Sequence, residues 1–280
     1  MCQKTDIALI KYWPALICGG GLTLAFSDAG GSFFAFAALV PLFVCAGRLS
    51  LKSAFFWGVW AGLVHFLTLI YWILPTVNRY GGLHPVLAAG VLVLLCIYLA
   101  LYVGVFAVIV KKLYSDAARP ETWYLPLAAA AAWTGLEYIR TYAFTGFGWG
   151  ALGYSQSENL TVIQIADISG VYGISFLIVM VNGVLAQVWT AAFQRRRPPV
   201  VALGYAVFLV ATVFYYGQKS VEAIGQEMTN ARKLSVSVVQ GNIRQDVKWD
   251  QAFASRTVEK YIRLSEQALE NTPQLIIWPE

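Results

Sequence analysis

The sequence predicts a multi-span α-helical membrane bundle followed by the start, β-α-β, of an α/β domain. Composition, the length of the apolar runs and the distribution of charge carry that expectation. Of 280 residues, 58% are hydrophobic and only 12% charged, with a mean hydropathy of +0.61. Soluble domains usually carry roughly 25% charged residues, and half that amount cannot cover a water-soluble fold of this size. Disorder and coiled coil fail on the same composition. Residues 1–217 hold 12 Lys and Arg against 7 Asp and Glu, which accounts for the whole net charge of +5. Residues 218–280 hold 8 of each and have the composition of a soluble protein. No basic patch for nucleic acid is visible.

A spanning helix needs about 20 largely apolar residues. Seven segments meet or approach this: roughly 9–27, 31–48, 53–75, 84–110, 124–142, 168–193 and 198–217. The first has Lys4 and Lys11 ahead of an apolar stretch, as a signal peptide does. It has no small-x-small cleavage site, so it reads as a retained helix. The alanine run Ala128–Ala132 suits a close helix-packing face. Cys2, Cys18, Cys45 and Cys96 all fall in the first hundred residues without CxxC or Cys/His spacing. They read as small packing residues, and no metal or cofactor is indicated.

Lys and Arg collect in cytoplasmic loops. With the N-terminus inside, ten of the 12 basic residues before 218, from Lys4 to Arg197, fall in inside loops, and only Arg79 and Arg140 fall outside. Seven spans then put residues 218–280 outside the cytoplasm, in the periplasm of a Gram-negative cell.

Polar residues in or beside spans are costly and rarely idle. His65 lies mid-span and reads as a helix-to-helix hydrogen bond. Glu137 and Arg140, three apart on one helix face, read either as an intrahelical ion pair at the interface or as a polar rim around a lipid head-group site. Asp167 is placed to cap the sixth span. The loop FTGFGWGALGYSQ, Phe144–Gln156, mixes four glycines with Phe147, Trp149 and Tyr154. An interfacial aromatic belt accounts for the rings. The glycines imply unusual backbone angles or close approach to another group.

In the soluble tail, KLSVSVVQGNI (233–243) alternates and is rich in valine, as strands are. Trp249-Asp250 follows, with Asp250 a plausible N-cap. Apolar residues from Ala254 to Leu269 then recur at helical spacing. Asn271 and Pro273 stop that helix, and QLIIWPE reads as a second, buried strand ending in Glu280. A β-α-β crossover forces parallel pairing, and open α/β sheets bind ligands at the carboxyl ends of their strands, where Glu280 stands.

The order of seven hydrophobic spans, FTGFGWGALGYSQ, VVQGNIRQDVKWD and LIIWPE resembles apolipoprotein N-acyltransferases of Gram-negative bacteria. Gly148 and Arg244 depart from the GFPW and GNIPQ patterns of that family, and both changes lie in loops. The resemblance implies a membrane bundle joined to a periplasmic nitrilase-like (carbon-nitrogen hydrolase) sandwich domain in the bacterial inner membrane. It implies acyl transfer from a phospholipid, through a cysteine thioester, to the N-terminal diacylglyceryl-cysteine of an apolipoprotein. In that scheme Glu280 is the general base and Trp249 lines the active site. The crowding of aromatic residues and glycines in the outer loop makes Phe147, Trp149 and Tyr154 the candidates to line a lipid entry site.

The family also uses a Lys and a Cys after the Glu, and an eighth span. None of these follows Glu280, so the expectation is an N-terminal piece of such an enzyme, catalytically incomplete as written. Two other classes compete. One is a transporter, disfavoured by the few ionisable residues in the spans. The other is a non-catalytic lipid-binding scaffold. A reading frame that continues past codon 280 into a Lys and a Cys separates the enzyme from both.

Overall fold

A computed structural model describes residues 3–27, 31–117, 122–244, 248 and 251–279, with side chains from residue 13 onward. The chain divides into two compact units, Met1–Ala223 and Ile224–Glu280.

The first unit is helical: α1 (Gln3–Leu24), α2 (Ala35–Ala38), α3 (Val40–Ala46), α4 (Leu51–Leu69), α5 (Ile73–Arg79), α6 (Pro85–Asp116), α7 (Leu125–Tyr142), α8 (Leu160–Ile163), α9 (Ala166–Phe193) and most of α10 (Val200–Asn230), whose last residues, from Ile224, belong to the second unit. Among the described residues, α6, α9 and α10 are each long and apolar enough to cross a membrane, and α4 with α5 forms a pair of that kind bent by 55°. Trp13–Leu24 and Gly31–Ala46 are shorter apolar helical stretches.

Local chemistry sets several of the boundaries. The Ser50 hydroxyl accepts from Ser53 N at 3.2 Å and starts α4, and the Asn159 side chain does the same for α8. The expected continuous helix over 53–75 breaks at Ile70–Trp72. Pro75 has no N–H, and its ring would collide with the Tyr71 carbonyl in an unbroken helix. The expected helix over 31–48 is likewise divided, at Leu39. Asn182 of α9 is inserted there: its Oδ1 accepts from Leu39 N at 2.9 Å and its Nδ2 donates to Ala35 O at 2.8 Å. Asn182 is fully buried, and each of these bonds satisfies a main-chain group that the break would otherwise leave unpaired.

α4 and α6 pack with almost no side chain between them. A Cβ added at Gly58 would stand 2.6 Å from Val103 O, and one at Gly62 would stand 2.8 Å from Ala100 Cα. Small residues of this kind let spanning helices approach backbone to backbone. The alanine run of α7 is only partly a packing face: Ala129 and Ala130 are fully buried, but Ala131 is exposed.

In the second unit, β1 (Val236–Val238) pairs in parallel with β2 (Leu275–Ile277), in the register Val236↔Leu275 and Val238↔Ile277. Helix α11 (Gln251–Leu269) lies between them in sequence. Tyr261 of α11 stacks on Trp278 at 5.4 Å, and the Trp278 indole N–H donates to Ser265 Oγ at 2.7 Å. The strands are three residues each, shorter than the expected 233–243 and 274–280. They are also not buried, since Leu275 and Ile277 are 45% and 44% exposed. Asp250, expected to cap α11, lies outside the described residues.

Candidate functional site

The loop between α7 and α9 is fixed to the bundle by buried side chains. Gly146 and Gly150 have φ of +78° and +72°, angles that an L side chain adopts only at a cost of roughly 1–2 kcal/mol. A Cβ at Gly150 would also stand 2.8 Å from Leu69 Cδ2. These two glycines let the chain reverse close against α4 and α7. Phe147 N donates to Arg140 O at 3.0 Å. Leu152 N donates to Glu137 Oε1 at 2.7 Å, and Gly153 N donates to Ser175 Oγ at 2.8 Å. At the far end, Gln156 Nε2 donates to Ser32 O at 2.9 Å.

Held in this way, the loop presents its aromatic residues together. Trp149 lies 4.6 Å, centroid to centroid, from Trp72 at the α4–α5 break, and 5.8 Å from Phe147. Trp149, Tyr154, Trp72, Phe26, Leu69, Ile70 and Gly150 wall a groove of about 510 Å³. Trp149 and Tyr154 remain 57% and 52% exposed, while Phe147 turns inward against the core. The three aromatic residues singled out in the sequence thus share one place, with Trp149 and Tyr154 on the groove and Phe147 backing Trp149. Trp72 was missed. Pro75, three residues on, signals the break beside it, but no local pattern pairs Trp72 with the loop.

Beneath the groove lies a polar cluster. Glu137 and Arg140 are only 5% and 4% exposed, so they sit inside the bundle and form no rim. Among the described residues they close no direct ion pair. Glu137 Oε1 instead accepts from the Trp133 indole N–H at 2.8 Å as well as from Leu152 N. The Arg140 guanidinium lies 5.4 Å from the centre of the Phe66 ring, a cation–π contact. Its Nε and Nη2 have no hydrogen-bond partner in the protein. These groups, with His65 and Tyr102, line a cavity of about 30 Å³, enough for a water.

His65 makes the expected helix-to-helix contact: its Nδ1 shares a hydrogen bond with the Thr23 hydroxyl of α1 at 3.1 Å. Asp167 does not cap α9. It lies in the turn Ala166–Ser169, which a kink at Gly170 (φ +61°) separates from the rest of α9, and its Oδ2 accepts from the Tyr216 hydroxyl at 2.6 Å. Trp249 and Glu280 lie outside the described residues. Cys18 and Cys96 are buried among the helices and Cys45 is half-buried.

Spanning helices, a broken span and an aromatic groove at one end of the bundle define a polytopic membrane protein with an open aromatic recess. A family model for the apolipoprotein N-acyltransferase N-terminal domain matches residues 18–184, which include the groove and the polar cluster. The apolipoprotein N-acyltransferase of Geobacter metallireducens is 37% identical over 273 residues, covering 96% of this chain and 50% of the relative. That of Methylococcus capsulatus is 30% identical over 266 residues, covering 95% and 50%. That of Pasteurella multocida is 29% identical over 286 residues, covering 99% and 51%. The chain belongs to the apolipoprotein N-acyltransferase family. It spans about half the length of the curated relatives it matches.

Proposed function

We propose that this chain supplies the membrane bundle, and the first strands of a nitrilase-like domain, to a phospholipid:apolipoprotein N-acyltransferase of the bacterial inner membrane. The observation that carries this reading is the groove. Trp72, Trp149 and Tyr154 form an open aromatic recess whose 510 Å³ suits a segment of acyl chain, and ring faces line it without a charge. The phospholipid donor enters there, and the diacylglyceryl apolipoprotein is the acceptor. The half-exposed apolar strands β1 and β2, paired in parallel, are surfaces that a larger α/β sandwich buries.

The chemistry assigned to the whole enzyme proceeds in two steps. A cysteine thiolate attacks the acyl ester, forming a thioester and releasing lysophospholipid. The apolipoprotein α-amino group then attacks the thioester and restores the thiol. Glu280 takes the thiol proton and passes it to the departing lysophospholipid oxygen, then takes the amine proton and passes it to the departing sulfur, and Trp249 lines the same site. None of the four cysteines of this chain lies in residues 218–280.

Trp149→Ala in the full-length enzyme is expected to slow thioester formation from phospholipid while transfer from a preformed thioester to a lipopeptide proceeds at the wild-type rate. The readout is a labelled acyl chain trapped on the protein. Thioester accumulation at the wild-type rate returns the loop to an interfacial belt.

The proposed topology has seven spans, a cytoplasmic N-terminus and residues 218–280 in the periplasm. Reporter fusions after residues 50, 115, 196 and 225 are expected to read inside, inside, inside and outside. A cytoplasmic signal at the last position overturns both the topology and the assignment of the soluble segment to the acyl-transfer site.

A further inference from the structure

The cavity of about 30 Å³ beneath the aromatic groove is built from four directions. α4 contributes His65, α6 contributes Tyr102, α7 contributes Glu137 and Arg140, and the outer loop contributes Gly150 and Leu152. The rest of its wall is apolar apart from Trp133, whose indole N–H is taken up by Glu137. A wholly apolar cavity of this size stays dry, so the polar atoms decide what this one holds.

Among the described residues the Arg140 side chain makes no hydrogen bond with the protein. Its Nε and Nη2 are fully occluded and meet nothing. Nη1 is the guanidinium nitrogen that keeps accessible surface, in a residue that is only 4% exposed and lines the cavity. His65, also 4% exposed, lines the same cavity from α4. Its Nδ1 is engaged by Thr23 Oγ1 at 3.1 Å, which leaves Nε2 as the ring nitrogen without a protein partner. Thr23 Oγ1 lies 2.7 Å from Thr68 Oγ1, which in turn lies 2.7 Å from Val64 O. If the Thr68 hydroxyl donates to Val64 O, Thr23 donates to Thr68, Nδ1 carries the ring proton and Nε2 is an acceptor. If Thr68 donates to Thr23, Thr23 donates to Nδ1 and Nε2 carries the proton.

We propose that the cavity holds an ordered water that joins Arg140 Nη1 of α7 to His65 Nε2 of α4. A water oxygen accepts from the guanidinium and then either donates to Nε2 or accepts from it, so it serves both tautomers. A carbonyl or phosphate oxygen serves only the protonated Nε2, and an anion is further opposed by the Glu137 carboxylate in the wall. The volume exceeds the roughly 10–15 Å³ that one water requires. Leaving a buried charged donor unpaired costs more than the entropy of holding one water. The bridge completes a chain from Arg140 through water, His65 and Thr23 that ties α7 across α4 to α1. It runs beneath Gly150 and Leu152, the stretch of loop that Glu137 also holds. The water serves the bundle whatever the groove binds, so its test is separate from that of the acyl-transfer reading.

The test uses the purified protein in lipid bilayers, isotope-labelled at the arginine and histidine side-chain nitrogens, with solid-state NMR magnetisation transferred from water. Transfer to Arg140 Nη1 and His65 Nε2 is expected. His65→Phe keeps the ring and removes the nitrogen. It is expected to reduce transfer to Arg140 roughly threefold or more, because a buried water needs at least two polar partners. Arg79→Gln, at the exposed end of α5, should leave that transfer unchanged. Absence of transfer to Arg140 in the wild-type protein shows a dry cavity and overturns the proposal, and this measurement decides even if His65→Phe fails to fold. Equal transfer to Arg140 in the wild type and in folded His65→Phe overturns the bridge. Transfer from lipid protons in place of water assigns the cavity to a lipid group and overturns it as well.

Discussion

Glu137→Ala is expected to destabilise the bundle by about 2–6 kcal/mol, the cost of leaving two buried donors without an acceptor at about 1–3 kcal/mol each. The size of the effect follows from what the carboxylate serves. One oxygen, Oε1, accepts both the Trp133 indole N–H and Leu152 N, and alanine leaves both donors buried without a partner. The neighbouring Arg140 guanidinium, already short of partners at Nε and Nη2, loses the nearby negative charge. Glu137→Gln keeps an oxygen for the two donors and removes only the charge, so its cost should be well below that of alanine. Thermal unfolding in detergent ranks the two variants. Because Leu152 N is the loop's anchor, the alanine variant should also release Trp149 from Trp72, which the fluorescence of the tryptophan pair reads. If alanine and glutamine cost the same and the fluorescence is unchanged, the carboxylate does not hold the loop.

The unexpected position of Glu137 shows where sequence reasoning fell short. Its place near the end of an apolar run suggested a rim, because hydropathy reports depth along a helix and not which face points inward. The face was nonetheless legible. Trp133 stands four and three residues after Ala129 and Ala130, Glu137 four after Trp133 and Arg140 three after Glu137, and all five are buried. Extending the alanine face by two turns would have put the charged pair inside. The breaks were harder to read. Pro75 announces the bend after α4 by its missing N–H, but the break at Leu39 depends on Asn182, 143 residues away in sequence. No local pattern encodes a wedge supplied by another helix.

The soluble unit was legible in order and less so in extent. The observed strands fall inside the expected segments and pair in the expected parallel sense, since valine-rich alternation and a helical crossover are local signals. Ladder length and burial depend on neighbours, and Val238 at 72% exposure shows that a strand-like run need not be covered. The aromatic loop lay between these cases. Its glycines signalled an unusual backbone, borne out at Gly146 and Gly150. Its partner Trp72 could be found only by bringing the α4–α5 break and the loop to the same place.

Glu280→Gln in the full-length enzyme is expected to lower both half-reactions by about 10²–10⁴-fold, the usual worth of a positioned general base. The expectation rests on the role proposed for the carboxylate. In the first step a thiol must lose its proton before sulfur attacks the acyl ester, and lysophospholipid then leaves as the thioester forms. In the second step the apolipoprotein amine attacks the thioester and must shed a proton as the carbon–sulfur bond breaks. In the proposed scheme one carboxylate, expected from the sequence at the carboxyl end of a strand, where α/β sheets gather their ligands, serves both transfers. Glutamine preserves its shape and hydrogen bonding but accepts no proton. The two steps are read separately, as labelled acyl chain trapped on the protein and as chain transferred from a preformed thioester to a diacylglyceryl lipopeptide. Loss of the first step alone would assign the amine proton to another group. Wild-type rates in both would remove Glu280 from the mechanism while leaving the lipid groove, which Trp149→Ala tests, where it stands.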